Sequence, residues 1–275
     1  MDYKVTSEIY TEFDYTSSSK PKIDDKYVVS RFKFKCPPKT ASADGDGDFI
    51  VSRKSDKQIF KTIEIEHSRS TALDLVGMQM WRGSLLLADW LISNAKYFPK
   101  ECFILELAGG VGFDSIVASM FSPVIYTDVE RGHVFKLMDN NKERNEKHIN
   151  YPIKALELDF FTQIIPTYVV ENIDKISVII VAEVIYNDQL TDAFIQTVEH
   201  LLTAGSLEKT VYLAVEKRFV FTIADCESVA PCYEYFLKKL STSLLIYEEV
   251  PIDFPQYFEY DRVKQLVLCK LKLKK

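Results

Sequence analysis

The sequence predicts an α/β protein with a seven-stranded, mostly parallel, doubly wound sheet and a small β-rich element at the N-terminus. From about residue 75 onward, strand patterns alternate with helical patterns, which indicates a sheet covered by helices on both faces. Before residue 68, apolar residues recur at every second position, as in half-buried strands. Within the second region, the apolar run that ends at residue 107 leads into a glycine-rich turn, which is typical of α/β proteins that bind nucleotide-like ligands.

The N-terminal element, residues 1–68, contains two alternating segments, Tyr27–Phe34 and Lys57–His67, which we expect to be strands. Residues 36–48 are rich in proline, glycine and aspartate and predict a flexible acidic loop. The aspartates of this loop resemble the start of a calcium site, but Phe49 stands where such a loop requires glycine. We therefore interpret the segment as a solvated loop.

The second predicted domain, residues 69–275, contains the sheet. In chain order we expect a helix at 83–94, a strand ending at residue 107 with its helix, a strand ending at 128, a helix at 133–146, strands at 153–158 and 177–182, a helix at 190–202 and a strand at 211–215. Segment 223–240 has a partly helical pattern that Pro231 is expected to interrupt. Two strands, 244–250 and 263–271, close the chain without a helix between them, which favours an antiparallel pair.

Composition sets the outer bounds on function. The chain has 275 residues, of which 47% are hydrophobic and 27% charged, enough for a full core. A net charge of −6 argues against extended nucleic-acid binding. No apolar run is long enough to cross a membrane, and the N-terminus lacks an apolar signal segment. The five cysteines show no Cys-x-x-Cys spacing and no metal-ligand cluster is visible, so we expect an intracellular protein, nuclear or cytoplasmic, without a metal.

The glycine-rich turn follows an acid at the end of an apolar run. After Glu106 the chain passes Gly109, Gly110 and Gly112 and enters a helical pattern. Glycine permits positive φ and lets a ligand approach the backbone without a Cβ in the way. A dinucleotide site requires Gly-x-Gly-x-x-Gly, and neither Gly109 nor Gly110 as a start gives that spacing. A purely structural tight turn remains the alternative.

Other landmarks lie at the C-terminal ends of the predicted strands, where open α/β sheets bind ligands. Asp128 ends the strand after the glycine turn and is placed to accept hydrogen bonds from a ribose. The segment Glu157-Leu-Asp159-Phe160 follows the third strand, and Ala182-Glu-Val-Ile-Tyr186 follows the fourth. Trp81 directly precedes the helix that we expect beside the first strand.

Together these motifs resemble the class I S-adenosylmethionine-dependent methyltransferases, which have a Rossmann-like fold, and among them family 16, whose members are mostly lysine-directed. Glu-Leu-x-Gly-Gly-x-Gly resembles motif I of the class. A tryptophan before the first helix, an aromatic residue after an acid behind strand three, and Asp-x-x-Tyr after strand four resemble family 16. The chain departs from the family in having Glu183 where Asp is usual and Phe160 where Trp is commoner. The resemblance covers roughly residues 25–272.

The resemblance implies S-adenosylmethionine as cofactor and, as partner, a non-histone or nuclear protein that carries the target lysine. It implies that Glu183 and Tyr186 are the catalytic residues on the substrate side, with Glu183 as a clamp that orients the lysine and Tyr186 as part of the wall. It also implies a set of cofactor-binding residues at the ends of the strands: Trp81, Glu106, Ala108, Gly109, Gly110, Gly112, Asp128, Asp159, Phe160 and Ala182.

Two other functions stay open at this point. One is a methyltransferase that acts on a small molecule or nucleic acid, although strand four lacks the Asn-Pro-Pro-aromatic turn that such enzymes use for the amino groups of bases. The other is a non-catalytic methyltransferase fold that serves as an interaction protein. Asp159 also has a structural alternative, as the cap of a helix or a loop. We expect a monomer that binds neither membranes nor nucleic acid directly.

Overall fold

The computed structural model describes residues 4–36, 59–98, 101–222 and 227–274. Apart from Cys36, the predicted acidic loop lies outside the described residues, as do Lys57 and the residue that follows it. None of the helices described in these ranges is long and apolar enough to cross a membrane.

The N-terminal element contains the two strands that its alternating pattern predicts, paired as an antiparallel hairpin, and a preceding helical turn that the pattern does not predict. Helix α1 (Ile9–Glu12) precedes strands β1 (Tyr27–Lys35) and β2 (Phe60–Ser68), and the pairing register sets Phe32 opposite Ile63. Both side chains point to the buried face of the hairpin, because residues on directly paired positions share a face.

The main sheet has seven strands, and its fold is the predicted mostly parallel α/β arrangement. The strands are β3 (Phe103–Leu107), β4 (Val124–Asp128), β5 (Ile153–Glu157), β6 (Ile176–Ala182), β7 (Thr210–Glu216), β10 (Leu245–Val250) and β11 (Leu266–Leu273). Their order across the sheet is β10-β11-β7-β6-β3-β4-β5. Only β11 runs antiparallel to its neighbours, β7 and β10. The chain reverses its winding direction between β3 and β6, so the C-terminal ends of these strands border a crevice.

Most helices of the sheet domain lie where the sequence predicts them; the short helix between β5 and β6 is not predicted, and the segment after β7 shows two further differences. The helices are α2 (Arg82–Asn94), α3 (Phe113–Ala118), α4 (Val134–Arg144), α5 (Thr167–Glu171), α6 (Asp188–Thr203) and α7 (Pro231–Thr242). The expectation that Pro231 interrupts a helix is wrong: it begins α7, where its missing N–H has no partner to lose. Two short paired strands, β8 (Val220–Thr222) and β9 (Glu227–Val229), precede α7 and are not predicted by the sequence pattern.

Successive strand residues contribute to two hydrophobic cores, one on each face of the sheet. Ile104 and Val124 pack with α2, α3 and α4, whereas Leu105 and Ile125 pack with α6 and α7. The N-terminal hairpin belongs to the first core: the ring centroids of Phe32 and Phe113 lie 5.4 Å apart. The hairpin and the seven-stranded sheet therefore share one interior.

Candidate functional site

A cleft lies at the C-terminal ends of β3, β4 and β6. Eleven of the twelve residues that the sequence analysis singles out line this cleft: Trp81, Glu106, Ala108, Gly109, Gly110, Asp128, Asp159, Phe160, Ala182, Glu183 and Tyr186. The topology thus brings together residues that are up to 105 positions apart in sequence, from Trp81 to Tyr186. Their individual roles stay predictions.

Gly112 is the predicted residue that does not line the cleft. It precedes α3 with φ +80°, and a Cβ at this position would lie 2.0 Å from Met138 Sδ. Backbone conformation and packing against α4 both require glycine there. The structure therefore gives Gly112 a structural reason to be glycine, independent of any ligand.

The turn after β3 is held by hydrogen bonds to β4. Gly110 has φ +53°, and its backbone N–H donates to Asp128 Oδ2 at 2.7 Å. The carbonyl oxygen of Gly110 accepts a hydrogen bond from the Tyr126 hydroxyl at 2.7 Å. The turn and the Asp128 carboxylate are therefore fixed relative to each other before any ligand arrives.

Asp128 is the carboxylate at the end of β4. Its Oδ1 accepts a hydrogen bond from the backbone N–H of Val129 at 2.7 Å. Burial raises the pKa of Asp128 to about 6, although the N–H groups of Gly110 and Val129 favour the ionised form. At neutral pH the carboxylate is ionised, and each of its oxygens keeps a lone pair for a hydroxyl donor.

A pair of buried carboxylates lies under the glycine turn. Glu106 is 3% exposed and accepts a hydrogen bond from the Ser115 hydroxyl, while Asp114, in the first turn of α3, is 2% exposed. Burial, and secondarily the charge of Asp128, raises the pKa of Glu106 to about 8. Burial and the neighbouring Glu106 raise the pKa of Asp114 well above its usual value. The sequence analysis missed Asp114; the signal was an acid among the apolar residues of a buried helix.

Glu183 directly follows β6 in the left-handed region, with φ +54°. Its Oε1 accepts a hydrogen bond of 2.9 Å from the backbone N–H of Gly83 in the first turn of α2. A Cβ on residue 83 would lie 2.6 Å from that same oxygen, so glycine is required for the contact. Burial raises the pKa of Glu183 to about 7; the charge of Arg218 opposes this and that of Glu216 adds to it.

Two aromatic residues flank Glu183 in the cleft. Tyr186 is half-buried, and burial together with the charge of Asp128 raises the pKa of its hydroxyl. Trp81 is also half-buried; its indole N–H donates to the Val76 carbonyl at 2.9 Å. The guanidinium of Arg218 lies 4.8 Å from the centroid of the Trp81 ring. Trp81 and Tyr186 are therefore both part of the cleft lining.

The loop that follows β5 carries Asp159 and Phe160. Asp159 Oδ1 accepts a hydrogen bond of 2.9 Å from the backbone N–H of Phe161, so the carboxylate does serve as a loop cap. Phe160 is 5% exposed, and its ring packs against Phe194 of α6 with centroids 5.7 Å apart. Both residues border the cleft, but the Phe160 ring faces mainly the core.

The charge of the cleft favours a cationic ligand. Six carboxylates and one guanidinium line it in the described part of the chain: Asp74, Glu106, Asp114, Asp128, Asp159, Glu183 and Arg131. A pyrophosphate would be repelled by this lining, whereas a positively charged ligand with hydroxyl groups would find both charge and acceptors. Across the ranges that the structure describes, no group of three or more His, Cys, Asp or Glu residues is arranged to hold a metal ion.

A comparison with known families agrees with this geometry. The sequence profile described as lysine methyltransferase matches residues 59–240, which span the second strand of the hairpin, the cleft and α6, and reach into α7. The chain belongs to the lysine methyltransferase family. S-adenosylmethionine is the cofactor of this family.

Two curated relatives are named as methyltransferase-like proteins. Methyltransferase-like protein 22 from Mus musculus is 30% identical over 255 residues, and the protein of that name from Homo sapiens is 29% identical over 247 residues. The alignments cover 84% and 82% of this chain. They cover 64% and 61% of the relatives, so the chain spans less than two thirds of their length.

Two solved structures that resemble this chain in fold are methyltransferases. The glycopeptide N-methyltransferase MtfA, in complex with S-adenosyl-L-methionine, has a TM-score of 0.47 and 10% sequence identity, covering 70% of this chain and 94% of its own. A S-adenosylmethionine-dependent methyltransferase from Agrobacterium tumefaciens has a TM-score of 0.45 and 13% identity, covering 78% and 68% of the two chains.

The residues of the cleft fit S-adenosylmethionine. The cofactor carries a sulfonium and an ammonium cation, which match the excess of carboxylates. It also carries two ribose hydroxyls, for which the ionised Asp128 has free lone pairs. Among the described residues the buried Oδ1 of Asp114 has no hydrogen-bond partner, which identifies a polar position in the cleft wall that a ligand can satisfy.

Proposed function

We propose that this chain is a protein-lysine N-methyltransferase that transfers a methyl group from S-adenosylmethionine to a lysine side chain. The proposal is supported by one observation above all: the motif I turn, Asp128 and the Glu183–Tyr186 pair border one cleft at the C-terminal edge of the sheet. Membership of the lysine methyltransferase family supports the same assignment.

The donor side of the cleft, formed by the glycine turn and Asp128, would hold the cofactor. Asp128 would accept hydrogen bonds from the ribose, while the turn at Gly110 keeps that carboxylate in place. When bound, S-adenosylmethionine supplies a methyl group on a sulfonium that is already activated for transfer. The protein then needs only to bring a lone-pair donor in line with the carbon–sulfur bond and to exclude water.

The acceptor side would be formed by Glu183 and Tyr186. A free lysine amine has a pKa of about 10.4, so at neutral pH it arrives protonated. An ionised Glu183 would attract this ammonium and orient it, because opposite charges in a partly buried site attract strongly. Gly83 holds the carboxylate at a fixed place at the start of α2, so that the clamp is preorganised.

Loss of the lysine proton must precede attack, since an ammonium has no lone pair. Burial of the amine between Tyr186 and Trp81 would lower its pKa, whereas the charge of Glu183 would raise it. Glu183 is therefore a positioning group for the substrate, and the proton leaves to water as the amine enters the less solvated part of the cleft. The methyl group then passes to the nitrogen, and S-adenosylhomocysteine is the second product.

The proposed substrate is a non-histone or nuclear protein, and the described cysteines, all unpaired, support an intracellular location in nucleus or cytoplasm. The test is transfer of labelled methyl groups from S-adenosylmethionine into fractionated cell extract, with the Asp128→Ala variant as control. Label in the protein fraction that depends on Asp128 supports the proposal. Label found only in RNA or in small metabolites would replace it with one of the alternative methyltransferase functions, and absence of label in all fractions would favour a non-catalytic protein.

A further inference from the structure

Glu106 and Asp114 form a pair of buried carboxylates, whereas motif I by itself accounts only for Glu106. Glu106 ends β3, and Asp114 stands two residues after the last glycine of the turn, so both side chains approach the same end of the cleft. The two carboxylates are 3% and 2% exposed, respectively. Buried acids of this kind are normally paired with a cation or with several donors.

The two carboxylates do not have enough donors within the described protein. Ser115 donates to Glu106, and Ser84 provides a hydrogen bond to Asp114. Asp114 Oδ1 is left without any partner although it is buried. Asp128 lies on the next strand and adds negative charge, and Tyr126 beside it is a neutral phenol. No cation of the described chain forms an ion pair with Glu106 or Asp114.

We propose that Asp114 adds a second carboxylate beside Glu106, the motif I acid already expected to bind the cofactor, and that the primary ammonium of the cofactor's methionine moiety binds between the two in a two-carboxylate subsite. The inference rests on the proposed function and deepens it by assigning a cofactor-binding residue outside the glycine motif. An ammonium has three N–H donors. It would satisfy the orphaned Oδ1 of Asp114 and a Glu106 oxygen at once, which a neutral ligand group with fewer donors does less well.

The electrostatics of the subsite agree with this assignment. With Asp128 close by, burial makes it unfavourable to ionise Glu106 and Asp114 together, so the pair retains at least one proton at neutral pH. A bound ammonium would favour the doubly ionised form. Cofactor binding should therefore release a proton from the pair into solution, in addition to the contacts that it forms.

The experiment compares two ligands by isothermal titration calorimetry. S-adenosylhomocysteine carries the ammonium, whereas 5′-methylthioadenosine shares the nucleoside and the sulfur atom but lacks the amino-acid part. Asp114→Asn should weaken S-adenosylhomocysteine binding at least about tenfold, because a charge-assisted hydrogen bond is lost, and leave 5′-methylthioadenosine affinity within about twofold of the wild type. Glu106→Gln should show the same selectivity.

Proton release gives an independent readout. Titrations with S-adenosylhomocysteine at pH 7.5, in phosphate and in Tris, measure it from the difference in buffer ionisation enthalpy. The wild type should release up to about one proton, and Asp114→Asn clearly less. Equal release by both proteins would overturn the subsite.

Asp192→Asn is the matched control, because it makes the same chemical change at an ion pair on α6 that lies outside the cleft. Folding of Asp114→Asn is checked by thermal unfolding. The raised pKa of Asp114 means that its contribution to stability is lost as pH rises, so the neutral amide should not lower the melting temperature at pH 8.

The outcomes distinguish a failure of the proposed subsite from a failure of the proposed function. Loss of affinity for S-adenosylhomocysteine alone supports the subsite. Equal weakening of both ligands by Asp114→Asn would show a structural role and overturn it, as would unchanged affinity for both. Failure of the wild type to bind S-adenosylhomocysteine at all would overturn the proposed function, and the subsite with it.

Discussion

Glu183 Oε1 accepts a hydrogen bond of 2.9 Å from the backbone N–H of Gly83, 100 positions earlier in the chain. The contact joins the end of β6 to the first turn of α2, where free N–H groups and the helix dipole favour a carboxylate. It fixes the residue that we propose as the substrate clamp. It also explains why glycine follows Arg82 in the sequence.

Substitution of Gly83 tests this relationship. The new Cβ in Gly83→Ala would lie 2.6 Å from Glu183 Oε1 and 2.9 Å from its Cδ, so the carboxylate must move. Helix α2 itself should be stabilised by up to about 1 kcal/mol, since alanine is the better helix former. We expect methyl transfer to fall at least about tenfold, with a melting temperature near that of the wild type.

A second substitution provides the control for steric conflict. Glu183→Asp shortens the side chain by one methylene and should make room for the new methyl group. In the Gly83→Ala background it should therefore cost less activity than in the wild type, which a double-mutant cycle measures as a coupling energy. Strictly additive losses would show that the two residues act independently.

Neutralisation of Glu183 should affect catalysis and not cofactor binding. Glu183→Gln keeps an oxygen for the Gly83 N–H but loses the charge that would attract the lysine ammonium. We expect methyl transfer to fall by roughly 10²-fold and cofactor affinity by calorimetry to stay near that of the wild type. Loss of cofactor binding would instead assign Glu183 to the donor side.

The pH dependence of the wild type should reflect the same group. The pKa of Glu183 is raised to about 7, so the ionised clamp is present above that pH and lost below it. At saturating cofactor, kcat/KM for a protein substrate should rise through pH 7 and continue to rise as lysine loses its proton. The inflection near 7 should disappear in Glu183→Gln; its persistence would assign it to another group.

Removal of the Asp128 carboxylate should weaken cofactor binding. Asp128→Ala loses two potential hydrogen bonds to the ribose, each worth roughly 1.5–3 kcal/mol for a charged acceptor, and also the bond to Gly110 N–H. Calorimetry with S-adenosylhomocysteine should show affinity reduced at least about tenfold. Asp128→Asn, which keeps one acceptor oxygen, should lose less. Unchanged affinity in the alanine variant would contradict the placement of the cofactor.

The N-terminal hairpin should unfold together with the main sheet. Phe32 is 1% exposed and contacts Tyr15 and Phe113, with ring centroids 4.7 and 5.4 Å away. Phe32→Ala should lower the free energy of unfolding by about 3–5 kcal/mol, as for other buried phenylalanines. Denaturant unfolding followed by fluorescence and circular dichroism should remain a single transition. Separate transitions would show that the hairpin is an independent unit.

The sequence predicts most strands and helices of the main sheet in their order along the chain, because apolar runs between polar turns are local signals. It also predicts most of the cleft, since the strand ends of a parallel sheet meet at one edge whatever the details of packing. The Gly83–Glu183 contact is out of reach of such patterns, because it depends on how α2 is set against β6. Asp114 was missed for a related reason: the pattern shows an acid among apolar helical residues, but not that its side chain is buried next to Glu106. The role of Pro231 was not predicted because proline disrupts the interior of a helix but is favoured at its first position, and the sequence pattern does not show where α7 begins.

The most direct test of a lysine-directed active site in this cleft is tandem mass spectrometry of the labelled acceptor protein. Wild type, Glu183→Gln and Asp128→Ala are compared at equal enzyme concentration. We expect methyl groups on lysine with the wild type and a large loss of methyl-lysine with each variant. Methylation of another side chain, or equal methyl-lysine with Glu183→Gln, would contradict the proposed site.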